Sequence, residues 1–138
     1  MWWDEMKLDD LTDINMRINE DSTYVSDPAQ YGKLDQWADI RTTKQGDCED
    51  YAIGKLRALL AIGWPISALR LATCYVEPFR IDGRDVPKNE RYHGVLLADF
   101  EGQTWCLDNR KPYPTEWQNT GYEFDLLQIA GQPFMEKV

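Results

Sequence analysis

Cys48, His93 and Asp108 are the residues of this chain whose types and order could do chemistry together. Cys48 stands in Gly46-Asp47-Cys48-Glu49-Asp50-Tyr51, at the expected start of a helix. Unpaired N–H groups and the positive end of the helix dipole favour a thiolate there, and Gly46 lets the chain turn tightly just before it. The flanking Asp47, Glu49 and Asp50 act the other way, because each nearby anion makes another one costlier. A nucleophilic Cys48 therefore wants an ion-pair partner, or a cation that masks the acids. The alternative is a small buried thiol on a helix face.

The sequence has one histidine, so any chemistry that needs an imidazole must use His93. It lies in Tyr92-His93-Gly94-Val95-Leu96-Leu97, an apolar strand pattern in which a histidine can equally be a core residue. Asp108 ends Trp105-Cys106-Leu107-Asp108-Asn109, where an aspartate can also be a turn cap. Between them, Glu101-Gly102 reads as the tight turn of a hairpin. That turn brings His93 and Asp108 to one end of a two-stranded ladder, where a carboxylate can fix an imidazole's tautomer. Cysteine on a helix, followed by histidine and aspartate on neighbouring strands, is the layout of papain-like nucleophilic catalysis.

The elements that must carry these residues follow from periodicity and turn chemistry. Residues 4–20 place Met6, Leu8, Leu11, Ile14 and Ile18 at helical spacing. Residues 21–46 are turn-rich and read as a long irregular connection. A second helix is expected over 47–62, with acids in its first turn and a stop at Gly63 before Pro65. Strands follow at 67–77, 91–100 and 103–108, with a polar excursion at 78–90 and a loop at 109–121. Residues 122–129 give a last strand. Helix, helix, then antiparallel sheet is an α+β arrangement, and residues 1–138 make one domain. Trp37, Trp64 and Trp105 are expected in the core, and Trp2, Trp3 and Trp117 are candidates for a partner-facing patch. Cys74 and Cys106 fall in strands and read as inert core thiols.

Composition limits what the domain can do. Fifteen Lys and Arg stand against 24 Asp and Glu, a net charge of −9. Such a surface repels phosphate backbones and anionic lipid, so nucleic-acid binding is disfavoured. No apolar run is long enough to insert in a membrane. Three cysteines make a poor disulfide framework. The start, Met1-Trp2-Trp3-Asp4-Glu5, has neither a basic nor an apolar leader segment. The expectation is a cytoplasmic or virion-associated protein.

The string Gly46-Asp47-Cys48-Glu49-Asp50-Tyr51-Ala52-Ile53-Gly54-Lys55, then His93-Gly94-Val95-Leu96, then Leu107-Asp108-Asn109 resembles the bacterial transglutaminase-like cysteine peptidases. The likeness extends upstream through Asn15, Ile18-Asn19, Tyr24, Asp27, Tyr31-Gly32, Asp35 and Trp37-Ala38, and covers about residues 11–110. It implies a papain-like, transglutaminase-like fold with helices on an antiparallel sheet. It also implies Cys48 as nucleophile, His93 as general base and Asp108 as its orienting partner. The family's calcium dependence falls on Asp47 and Glu49, where a bound cation would offset the crowded acids. Gln45 and Trp37 are candidates for an oxyanion donor or a lid. The resulting reading is a cysteine peptidase acting on a protein or peptide. Two alternatives stand beside it. One is a phage virion structural or adaptor protein with the same fold, bound to a phage or cell-envelope protein. The other is a related Cys–His amidase or acyltransferase.

Overall fold

The computed structural model describes residues 7–24, 41 and 45–138. Expectations that fall on Trp2, Trp3, Trp37, Met6 and most of the 21–46 connection lie outside the described residues. Helix α1 (Lys7–Asp21) and helix α2 (Cys48–Ala61) are joined through that segment, and its described ends form a short parallel pair, β1 (Thr23–Tyr24) with β2 (Gln45–Gly46). Leu11 and Ile18 of α1 are buried, with Ile14 packed beside them. Leu8, expected on the same apolar face, is exposed.

The main sheet has six antiparallel strands in the order β10-β9-β3-β6-β7-β8. They are β3 (Leu69–Tyr75), β6 (Tyr92–Phe100), β7 (Gln103–Leu107), β8 (Thr115–Glu116), β9 (Glu123–Gln128) and β10 (Met135–Lys137). The excursion between β3 and β6 carries a small hairpin, β4 (Arg80–Ile81) with β5 (Arg84–Asp85). Three differences from the sequence reading involve very short elements. β8 and a 3-10 turn lie within the expected loop 109–121, the β4–β5 hairpin lies within 78–90, and β10 adds an edge beyond the expected last strand. Two or three residues are too few to show a period.

Alternation along the strands divides the sheet into two faces. Leu69, Leu71, Leu96, Ala98 and Leu107 pack with Ala52, Leu56 and Leu59 of α2. Ala72, Cys74, Val95, Leu97 and Cys106 point the other way, under Trp117, Tyr122, Phe124 and Leu127. Helix α2 lies between α1 and the sheet and is buried from Cys48 to Leu56. Of the tryptophans expected in the core, Trp64 is buried and Trp105 is partly buried. Trp117, assigned to a partner patch, instead packs on the second face of the sheet.

Two local devices set the positions that matter. The β6–β7 turn has positive φ at both Glu101 (52°) and Gly102 (80°), the twist that a two-residue hairpin needs. It fixes the ladder from Phe100↔Gln103 to Leu96↔Leu107. One step further, Asp108 falls on the same face as Val95 and His93. The second device is the start of α2. Asp47 is its N-cap and accepts from the Asp50 N–H at 3.3 Å, while Asp50 Oδ2 accepts from the Asp47 N–H at 3.2 Å. This is a reciprocal capping box. Gly46 packs against it so closely that an added Cβ would lie 2.4 Å from Asp50 Oδ2. Gly46→Ala must therefore push the Asp50 carboxylate off its bond. We expect a loss of about 2 kcal/mol in urea unfolding, from overpacking and a broken cap; an unchanged midpoint would contradict this placement.

Candidate active site

Cys48 is the first residue of α2, and its side chain is 1% exposed. The thiol sulfur accepts the Gly94 N–H at 3.2 Å and lies 3.6 Å from Glu49 Oε2. The Gly94 bond exists because β6 outruns β7: their last pair is Leu96↔Leu107, so the main chain before Leu96 faces the start of α2 instead of a strand. The sequence reading set the helix N-terminus, which favours a thiolate, against the flanking acids, which oppose one. Burial, then the charge of Glu49, push the Cys48 thiol well up, with Asp47 adding to them; the Gly94 N–H is the group that opposes them.

His93 neighbours Gly94 on β6, which places the imidazole beside the residue whose amide holds the thiol. Its Nε2 is 2.7 Å from Asp108 Oδ1, and both side chains are buried. Burial alone would raise the Asp108 carboxyl. The bond and charge of His93, then the Tyr122 hydroxyl and the Arg110 amide, outweigh it and hold Asp108 well below the ordinary carboxylate range. An ionised carboxylate only accepts, so Nε2 carries a hydrogen, and in the neutral imidazole Nδ1 then has the lone pair that a base needs. The Tyr122 hydroxyl donates to Asp108 Oδ2, and the Arg110 N–H donates to Oδ1 at 2.9 Å.

The loop carrying Asp108 is tied to both helices. Asn19 Nδ2 donates to the Asp108 carbonyl at 3.0 Å, and Asn15 Nδ2 donates to the carbonyls of Lys111 (2.8 Å) and Pro112 (3.0 Å). Asn15 Oδ1 in turn accepts from Lys55 Nζ at 2.7 Å. Lys55 is fully buried in α2, and that burial lowers its pKa to about 7, against the pull of Asp108. Asn15, Asn19 and Lys55 all belong to the strings quoted above, but their roles were not legible because their partners lie 40 to 97 residues away.

Asp47 and Glu49 are both buried, and so is Asp50, which the capping box uses. Burial, then the neighbouring Asp47, raise Glu49 to about 8. Glu49 Oε1 is buried with no hydrogen-bond partner. Among the described residues, no group of three or more His, Cys, Asp or Glu side chains forms a metal cage. Gln45 contributes its main chain to β2, opposite Thr23. Cys74 and Cys106 are buried in the sheet, and burial drives both thiols far above the ordinary range. Among the described residues, no helix is long and apolar enough to cross a membrane.

Comparisons with known proteins give the family and the fold. The profile of the bacterial transglutaminase-like cysteine proteinases (BTLCP) matches residues 1–134, and the chain belongs to that family. Legionella pneumophila LapG has a similar structure, with 22% identity and a TM-score of 0.64 over 86% of this chain and 62% of that one. Its calcium-bound form matches over the same shares, with 22% identity and a TM-score of 0.65. Its EGTA-treated form has 22% identity and a TM-score of 0.64 over 93% of this chain and 70% of that one. A candidate cysteine protease from Cytophaga hutchinsonii has 19% identity and a TM-score of 0.57, over 93% of this chain and 40% of that one. The chain thus spans 62% of the LapG structure. A search of curated protein sequences finds no match.

The Glu49 shift has a measurable sign. Between its ordinary 4.5 and about 8, the folded protein holds a proton that the unfolded chain has released. Without calcium, stability should therefore fall as pH rises through that window. Lys55 acts oppositely above about 7, so the clean comparison is between about pH 5 and 7. Denaturant melts should show a loss of more than about 1 kcal/mol over that range, and Glu49→Gln should remove it. A wild-type slope of zero would contradict the burial of this carboxylate.

Proposed function

We propose that this member of the family is a cysteine peptidase that cleaves a protein substrate through Cys48, His93 and Asp108. The observation that supports this most is the buried His93–Asp108 pair on the strand whose next amide holds the Cys48 thiol. With Asp108 on Nε2, His93 Nδ1 takes the thiol proton as Cys48 Sγ attacks the scissile carbonyl. The same imidazolium then protonates the leaving amine, leaving an acyl-enzyme thioester that water hydrolyses. The Cys48 N–H, in the first turn of α2, lacks an intrahelical partner and is our candidate donor to the oxyanion. Gln45 and Trp37 remain the candidates for a second donor or a lid.

A thiol raised in this way fits the scheme if proton transfer accompanies attack, or if the nearby acids are masked. Calcium would do the masking. Asp47 and Glu49 fit it as donors: they are two buried carboxylates, of which Glu49 is raised to about 8 by burial and then by its neighbour and has one oxygen without a hydrogen-bond partner. Main-chain carbonyls and water would complete the shell. Bound there, the cation would supply the positive charge that offsets the two acids beside the thiol.

Two measurements test the reading. Wild type and Cys48→Ala, each with calcium, are incubated with a cell-envelope protein extract, and new protein N-termini are mapped by mass spectrometry. New termini should appear with wild type and fall at least about a thousand-fold in Cys48→Ala, with unfolding unchanged within about 1 kcal/mol. Identical termini from both proteins would overturn it. Calcium must also displace the Glu49 proton. Below pH 8, calorimetric titration should show proton release as a buffer-dependent heat, with affinity rising with pH. Glu49→Gln should abolish that release. Calcium binding that releases no proton would remove Glu49 from the ligand set.

A further inference from the structure

Tyr122 stands outside every motif quoted above, yet its hydroxyl touches the centre of the site. It donates to Asp108 Oδ2 and accepts from Arg110 Nη1 at 3.0 Å. Arg110 Nη1 also reaches Glu77 Oε2 at 3.0 Å, and the Arg110 main-chain N–H donates to Asp108 Oδ1 at 2.9 Å. The Tyr122 ring meets the His93 ring edge-on, with centroids 6.1 Å apart and planes at 87°. Gly121, at φ 77°, takes the left-handed turn that aims Tyr122 inward, and Thr120 Oγ1 accepts the Tyr122 N–H at 3.1 Å. Glu77 follows β3, Arg110 follows β7 and Tyr122 precedes β9, so three segments meet on one carboxylate.

We propose that Tyr122 is a positioning residue of the reaction centre: its hydroxyl occupies Asp108 Oδ2, so that Oδ1 stays aligned on His93 Nε2 and the imidazole keeps its Nδ1 lone pair for Cys48. The proposal rests on the peptidase reading given above. Asp108 has two oxygens and one imidazole to orient. Without the hydroxyl, Oδ2 is a buried anionic acceptor lacking its donor. The carboxylate then rotates to share the remaining N–H groups, or water enters, and either change loosens the hold on Nε2. Arg110, paired with Glu77, acts through Tyr122 by holding the hydroxyl's lone pair and so directing its hydrogen at Asp108.

The single histidine gives a readout that packing alone would not move. Long-range 1H–15N spectra of uniformly labelled protein report the His93 tautomer without assignment ambiguity. Wild type should show the Nε2–H form with a strongly deshielded Nε2 proton. Tyr122→Phe should move that proton upfield and populate both tautomers, and should slow iodoacetamide alkylation of Cys48 about ten-fold. Arg110→Met, which keeps the tyrosine, should shift the same signals in the same direction by less, and serves alone if Tyr122→Phe does not fold. Unchanged tautomer and alkylation within two-fold, in whichever variants fold, would overturn the proposal. His93→Ala separates it from the underlying reading. If alkylation of Cys48 is insensitive to His93, the peptidase reading fails. If it depends on His93 and not on Tyr122, this proposal alone fails.

Discussion

Asp108 is 2% exposed, and an ionised carboxylate taken out of water costs several kcal/mol unless donors surround it. Much of the architecture around the site meets that demand. β6 supplies His93, the loop after β7 supplies the Arg110 amide, and the turn before β9 supplies Tyr122. Helix α1 holds the residue's carbonyl through Asn19, and α2 steadies α1 through Lys55 and Asn15. A carboxylate satisfied from so many elements cannot rotate freely, and neither can the imidazole bonded to it. Rigidity of the imidazole follows from the burial of its partner.

The start of α2 presents the opposite situation. Asp47, Glu49 and Asp50 are buried around a buried thiol, and the capping box uses Asp50 while Glu49 is left with an oxygen that accepts nothing. Burial, and then the neighbouring acids, raise both the thiol and Glu49. One end of the site is over-supplied with donors and the other with acceptors. A hard cation among the acids would balance the second end, the place the proposed reaction gives to calcium beside Cys48.

The sequence carried much of this. Helix α2, the strands β3, β6 and β7 and the Glu101-Gly102 hairpin followed from local pattern, because each depends on neighbours a few residues away. The candidate residues were singled out for the same reason: Cys48 begins a helix, and His93 and Asp108 flank one turn. What escaped was set at long range. Tyr122 sits in an unremarkable loop sequence and reaches Asp108 only because β9 pairs with β3. Lys55 looks like an ordinary helical lysine until α1 covers it. The acids that oppose a Cys48 thiolate are legible in sequence, whereas the burial that adds most to their effect is not.

The central claim is that Cys48 forms the acyl-enzyme. The most direct test is p-nitrophenyl acetate, an activated ester small enough to need no recognition, with calcium present. The account predicts a burst of p-nitrophenolate matching the enzyme concentration, and intact-mass and peptide mapping that place one hydroxylamine-sensitive acetyl group on Cys48. A burst absent under these conditions, or acetyl carried by Cys74, Cys106 or a lysine while Cys48 stays free, would contradict it.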